Sequence, residues 1–135
     1  MKIGSKAIIV NNGKYLLQLR DNKKNILAAN RWGFFGGSLL NRKETPESCM
    51  KRELKEELSI KCDFLMKIYE CLHTPSGHYI HFFYIKPNKK ITKDKLNEGQ
   101  DFGWFRQDQI KKLQIGMIGW RQSSPPSLLF LQLEK

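Results

Sequence analysis

The sequence predicts an α+β fold, arranged as an α/β/α sandwich, because strand-like segments outnumber helical ones and the two kinds are mixed along the chain. Apolar, β-branched and aromatic residues mark the strands, while caps and helical periodicity mark the helices. This mixed order argues against a doubly wound parallel sheet. The predicted strands span 3–10, 14–20, 32–35, 64–71, 78–86 and 101–105, and the predicted helices span 46–58, 107–113 and 126–133.

A tight-turn signal joins the first two strands. Asn11-Asn12-Gly13 separates them, and Asn and Gly accept the positive φ angles that a two-residue hairpin turn needs. Thr74-Pro75-Ser76-Gly77 is a similar turn signal between the strands at 64–71 and 78–86. The first pair of strands is therefore predicted to form a hairpin.

The first helix has clear signals at its start. Thr45 suits the N-cap, Pro46 suits the first helical position, and Glu47 favours the positive end of the helix dipole. Apolar residues then recur every four positions and predict the stripe that faces the core. These residues are Met50, Leu54 and Leu58.

Bulk properties predict a single domain over residues 1–135 with a cytoplasmic setting. The chain has 135 residues, and none of its apolar runs approaches the ~18 residues that cross a bilayer, so no membrane partner is expected. Cys49, Cys62 and Cys71 are irregularly spaced without a CxxC pair, which indicates reduced thiols. A net charge of +11 favours anionic partners, which are nucleic acid, phosphorylated small molecules or an acidic membrane surface, and charge alone does not choose between them.

Acidic residues are concentrated in this basic chain at the first predicted helix. Five of the 13 acidic residues lie between Glu44 and Glu57. On a helix, Glu53, Glu56 and Glu57 share one face, where like charges repel. Carboxylates gathered on a rigid element are suitable ligands for Mg²⁺ or Mn²⁺, so we expect a cation there.

The same segment closely resembles the Nudix box, over residues 37–60. Glu44, seven residues and then Arg52-Glu53-Leu54-Lys55-Glu56-Glu57-Leu58-Ser59-Ile60 follow that family's pattern. Residues 15–21 and 32–37 resemble the strands that lead into the box, and residues 98–105 resemble a later acidic segment. The resemblance implies the Nudix fold, with a mixed, curved sheet packed between helices.

The chain departs from the family pattern at two places. Six residues instead of five separate Gly37 from Glu44, and Lys43 stands where a glycine usually precedes this glutamate. Ser59 stands where the pattern has a glycine, which usually forms a left-handed helix cap. Neither change removes a carboxylate, so we expect altered loops around an intact site.

The resemblance implies a Mg²⁺- or Mn²⁺-dependent hydrolase and assigns roles to matching residues. Glu53, Glu56 and Glu57 are expected to bind the metal and act in catalysis, and Glu98 to add a loop ligand or general base. Asp101 is the weaker candidate for that loop ligand. Scaffolding residues that orient the ligands are expected to be Glu44 and Arg52. From the residues themselves, Arg20 at a strand end is expected to bind phosphate, with Arg31 and Arg121 as alternatives, and Gly36 and Gly37 to let substrate or metal approach the backbone.

The resemblance implies that the substrate is a small nucleotide, either a nucleoside diphosphate derivative or a (d)NTP. The enzyme is expected to cleave a pyrophosphate linkage in it. One alternative is a non-catalytic Nudix-like sensor of a nucleotide metabolite, although such modules usually lose carboxylates that this chain keeps. Another is an enzyme acting on RNA ends. Binding to nucleic acid as such is not expected, because no RNA-binding motif is evident, and a homodimer is left open.

Overall fold

A computed structural model describes residues 2–19, 32–73, 77–97 and 101–113 of the chain. Its strands and helices follow the predicted order closely. The first hairpin consists of β1 (Lys2–Asn11) and β2 (Lys14–Leu19), and Asn12 and Gly13 between them have φ angles of 52° and 74°. Positive φ at both central residues is what a type I′ hairpin turn requires. The turn predicted from Asn11-Asn12-Gly13 is therefore confirmed.

The strand predicted at 32–35 ends early, at Gly33, and a second strand that was not predicted follows it. The short strand β3 (Trp32–Gly33) pairs with β2, and β4 (Gly36–Ser38) pairs with β1. Phe35 lies between the two ladders, where its side chain is fully buried and its carbonyl accepts a hydrogen bond from Ala7 N at 2.8 Å. The prediction of one continuous strand was wrong because the chain crosses here from one partner strand to another.

Helix α1 (Pro46–Leu58) has the predicted bounds and cap. Thr45 Oγ1 accepts the Ser48 N–H at 3.1 Å, and Pro46 is the first helical residue. Two contacts fix its N-terminus to the sheet, since Ser5 Oγ donates to Pro46 O at 2.8 Å and Cys49 Sγ to Gly37 O at 3.5 Å. This attachment places the helix beside β4, where the candidate site lies.

The remaining elements complete a mixed sheet. They are β5 (Phe64–His73), β6 (His78–Lys86), a 3₁₀ turn (Lys93–Lys95), β7 (Asp101–Phe105) and α2 (Gln107–Leu113). The described strands form one sheet of order β3-β2-β1-β6-β5, with β4 joined to β1 and β7 to β2. Only the β1–β6 pairing is parallel among these ladders. The helix predicted at 126–133 lies outside the described residues.

The two helices cover opposite faces of the sheet. Along β1, Ala7 and Ile9 pack in the cluster that contains the α1 stripe, whereas Ile8 packs in the cluster that contains Ile110 of α2. The stripe residues Met50, Leu54 and Leu58 are fully buried. Because alternate residues of a strand point to opposite faces, this arrangement confirms the α+β sandwich.

No helix in the described part of the chain is long and apolar enough to cross a membrane. The extent of a single domain over residues 1–135 stays a prediction.

Candidate active site

Arg52 lies at the centre of a network of glutamates on one face of α1. Its Nε and Nη2 atoms donate to the two oxygens of Glu44 at 2.8 and 3.0 Å, which is a bidentate pair. Its Nη1 donates to Glu53 Oε1 at 2.9 Å and to Glu56 Oε2 at 3.2 Å. One guanidinium therefore draws the carboxylates of Glu53 and Glu56 together and offsets their mutual repulsion.

Arg52 also ties this face of the helix to the sheet. Its Nη2 donates to the carbonyl of Ser38, at the end of β4, at 3.0 Å. Hydrogen bonds from Arg52 to Glu44 and Glu53 raise the pKa of the guanidinium, so the group stays charged at any working pH. The two predicted scaffolding residues, Glu44 and Arg52, are thus in direct contact, and their role in orienting metal ligands stays a prediction.

Among the described carboxylates of the predicted set, Glu57 is the most buried, with 2% of its surface exposed. Its Oε1 accepts the backbone N–H of Gly36 at 3.0 Å. A buried carboxylate needs hydrogen bonds or a positive charge to offset its lost hydration. The contact with Gly36 aims Glu57 at the turn between β3 and β4, whereas Glu56 is 48% exposed.

The two glycines of β4 are required by close packing. Gly36 has a φ of 150°, and a Cβ atom there would stand 1.9 Å from Ser5 O in the neighbouring strand. A Cβ atom on Gly37 would stand 2.3 Å from Glu53 Oε1. Gly37 therefore leaves room for the carboxylate of Glu53 against the backbone. The expected contact of both glycines with substrate stays a prediction.

The loop at residues 38–43, which has one residue more than the family pattern, still places Glu44 in contact with Arg52. Asn41 Oδ1 accepts the backbone N–H groups of Lys43 at 2.8 Å and Glu44 at 3.2 Å, which closes an Asx turn. Glu44 Oε1 in turn accepts the Leu40 N–H at 2.9 Å. Asn41 thus gives the loop a defined shape despite the lysine at the usual glycine position.

The other candidates lie elsewhere or outside the described residues. Asp101 is on β7, where its carboxylate binds Lys93 Nζ at 2.9 Å and the Phe102 N–H at 2.8 Å. The hydrogen bond from Lys93 contributes most to lowering the pKa of Asp101. Glu98 and Arg20 lie outside the described residues, so their predicted roles are unchanged.

Several residues that build the site were not singled out from the sequence. Ser38 and Leu40 contribute backbone groups, which no side-chain motif can indicate. Ser5 gave no such signal either, because it stands between Gly4 and Lys6 and its full burial is seen only in the structure. Its hydroxyl donates to Pro46 O and so fixes where α1 begins, which sets the position of the helical glutamates relative to β4.

By ligand chemistry, the glutamate face fits a hard divalent cation. Glu53, Glu56 and Glu57 offer carboxylate oxygens from successive turns of one helix, and two of them already share one cationic partner in Arg52. Among the described residues, no group of three or more acidic, His or Cys side chains is already arranged to hold a metal ion.

The Arg52–Glu44 pair makes a prediction about acid stability. Hydrogen bonds from Arg52 and then Leu40 lower the pKa of Glu44 from 4.5 to about 2. A carboxyl whose pKa is lower in the folded protein stabilises it above pH 4.5, and that contribution is lost as the pH falls toward 2. We expect Glu44→Gln to lower the melting temperature at pH 7 and to flatten its fall in acid, as measured by circular dichroism. Parallel melting curves for the two proteins across this range would contradict the pairing.

Comparison with solved structures finds the same fold in known hydrolases. A MutT structure, from work on the Aliivibrio salmonicida and Vibrio cholerae proteins, has a TM-score of 0.66 at 21% identity over 82% of this chain and 84% of its own. A NUDIX hydrolase from Nitrosomonas europaea has a TM-score of 0.65 at 20% identity over 98% and 86%. An ADP-ribose pyrophosphatase from Streptococcus suis has a TM-score of 0.58 at 17% identity over 79% and 75%.

The sequence itself matches a family over nearly its whole length. The family model described as the NUDIX domain matches residues 2–123, which include every helix and strand given above. The matched range contains the glutamate face of α1, Arg52 and the two glycines of β4. This chain therefore belongs to the Nudix hydrolase family.

Proposed function

We propose that this protein is a Mg²⁺- or Mn²⁺-dependent hydrolase that cleaves a pyrophosphate linkage in a nucleoside diphosphate derivative, such as a nucleotide sugar, or in a (d)NTP. The observation that carries this proposal is the face of α1, where Arg52 holds Glu53 and Glu56 while Gly36 holds Glu57. The family generally uses a divalent metal ion, which agrees with this donor set.

The chemistry follows from the charges of the substrate. A diphosphate repels an anionic nucleophile, and a bound divalent ion would neutralise its oxygens and lower the pKa of the attacking water. Glu53, Glu56 and Glu57 would hold that ion, and Arg52 would orient the carboxylates of Glu53 and Glu56 through its hydrogen bonds to them. One of these carboxylates, or Glu98, would accept the proton from the attacking water.

Three predicted residues are proposed to contact the substrate. Arg20 is proposed to bind the phosphates of the substrate through its guanidinium, which matches phosphate oxygens in a bidentate manner. Gly36 and Gly37 are proposed to let the substrate approach the backbone closely, since neither carries a side chain. The ADP-ribose pyrophosphatase from Streptococcus suis adds ADP-ribose to the substrates worth testing.

A substrate panel tests the proposal. Purified protein would be incubated with nucleotide sugars, ADP-ribose, dinucleoside polyphosphates, (d)NTPs and 5′-capped RNA, each with Mg²⁺, with Mn²⁺ and with EDTA. We expect metal-dependent release of a nucleoside monophosphate, phosphate or pyrophosphate from a small nucleotide. Binding of a nucleotide without turnover in any metal would favour a sensor, and turnover confined to capped RNA would favour an enzyme of RNA ends.

The cellular compartment of the enzyme is proposed from the reduced state of its cysteines. All three cysteines are free and buried, as expected for a protein of a reducing compartment such as the cytoplasm. Burial raises the pKa of Cys49 to about 11 and of Cys71 to about 12, so both remain protonated and unreactive. A homodimer stays a prediction.

A further inference from the structure

The end of α1 is unusual because a serine occupies a backbone conformation that favours glycine. Ser59 follows the last helical residue with φ 55° and ψ 34°, and its N–H donates to Lys55 O at 3.0 Å. This is a left-handed helix cap, which costs free energy for a residue with a Cβ atom. A serine retained here, where the Nudix pattern has a glycine, points to a use for its hydroxyl.

That hydroxyl has a specific partner. Ser59 Oγ accepts a hydrogen bond from Asn97 Nδ2 at 2.6 Å. The backbone N–H of Asn97 donates to Glu57 O at 2.8 Å. The side chain and the backbone of Asn97 therefore both contact the C-terminal end of α1. Carbonyls at this end have no partner within the helix, and Asn97 therefore supplies a bond that the helix cannot make for itself.

We propose that Ser59 and Asn97 are positioning residues for the metal-binding face, an inference that rests on the proposed function. The Ser59–Asn97 clamp, defined by these two residues, holds the main-chain carbonyl of Glu57, whose carboxylate accepts the Gly36 N–H. Asn97 directly precedes Glu98, the predicted loop ligand, in the sequence.

If the clamp positions the metal-binding face, Ser59→Gly should affect stability and metal binding in opposite directions. Ser59→Gly relieves the strained backbone but deletes the hydroxyl, so its melting temperature should equal or exceed that of the wild type. Its affinity for Mn²⁺ should fall about tenfold, the lower end of the range for lost outer-sphere support. A residue that served only to end the helix would change stability without changing metal affinity.

Mn²⁺ titration without substrate, by isothermal calorimetry and by electron paramagnetic resonance, tests the clamp directly. The proteins are the wild type, Ser59→Gly, Asn97→Ala and the double variant, with circular dichroism as a check of folding. Because both residues act through one contact, the double variant should bind Mn²⁺ no more weakly than Asn97→Ala alone. Asn88→Ala is the matched control, since Asn88 is an exposed loop asparagine that bonds Asp63 and should leave Mn²⁺ affinity unchanged.

The Mn²⁺ titrations distinguish a failure of the clamp from a failure of the metal-dependent function. If the wild type binds Mn²⁺ and both Ser59→Gly and Asn97→Ala bind it equally well, the clamp is overturned and the proposed function stands. If the losses in the single variants add in the double variant, the two residues do not act through one contact, and the clamp is again overturned. If the wild type binds no Mn²⁺ at millimolar concentration, the metal-dependent function fails, and the clamp fails with it.

Discussion

Glu57→Gln is expected to lower turnover about a thousandfold or more while the fold remains intact. A metal ion contributes several kcal/mol to stabilising the charge that develops in phosphoryl transfer, and each 1.36 kcal/mol corresponds to a tenfold change in rate. The glutamine keeps an oxygen that can accept the Gly36 N–H but loses the charge that would hold the ion. The measurement is kcat and KM for a substrate identified in the panel, at saturating Mg²⁺.

The stability of this variant separates the metal site from a purely structural role. Glu53 and Glu57 are four residues apart on α1, so removing one charge relieves a like-charge contact. Without metal, the melting temperature of Glu57→Gln should equal or slightly exceed that of the wild type. A large loss of stability would mean that Glu57 is retained for folding.

Glu47→Gln is the matched control for this experiment. Glu47 is an exposed glutamate in the first turn of the same helix, away from the Arg52 network. Its substitution makes the same chemical change, and we expect wild-type turnover with only a small loss of stability from the helix dipole. Full activity in Glu57→Gln would remove this carboxylate from the metal site.

Gly36→Ala is the substitution expected to damage the fold most. Its Cβ would stand 1.9 Å from Ser5 O, and its φ of 150° is a conformation that residues with side chains rarely adopt. Gly36 and Ser5 both belong to the β1–β4 ladder, so neither backbone can move aside without breaking that pairing. We expect a loss of unfolding free energy on the order of 3 kcal/mol, measured by urea denaturation.

The nearby Gly33→Ala variant serves as the comparison. Gly33 lies on β3, and apart from its two chain neighbours no described residue has an atom within 4 Å of a Cβ placed there. Its stability should therefore remain close to that of the wild type. Equal stabilities for Gly36→Ala and Gly33→Ala would show that β4 does not lie against Ser5 as described.

Short-range signals in the sequence were sufficient for most of the secondary structure. Helix α1 begins and ends where its cap, its proline and its apolar stripe predict, because those contacts join residues within a few positions of one another. The bounds of β6, β7 and α2 also agree with prediction. The break at Phe35 was missed because it depends on which strands accept β3 and β4 as neighbours, and local sequence carries little of that information.

The sequence by itself determined the family, the fold class and the helical face on which Glu53, Glu56 and Glu57 lie, because motif spacing and helical period are local properties. Only the tertiary structure decided that Glu57 is buried while Glu56 is exposed. It also decided that Gly37 makes room for Glu53 and that Ser59 bonds Asn97 across 38 residues of chain. Those facts depend on atoms brought together by packing from distant segments, so a local pattern cannot encode them.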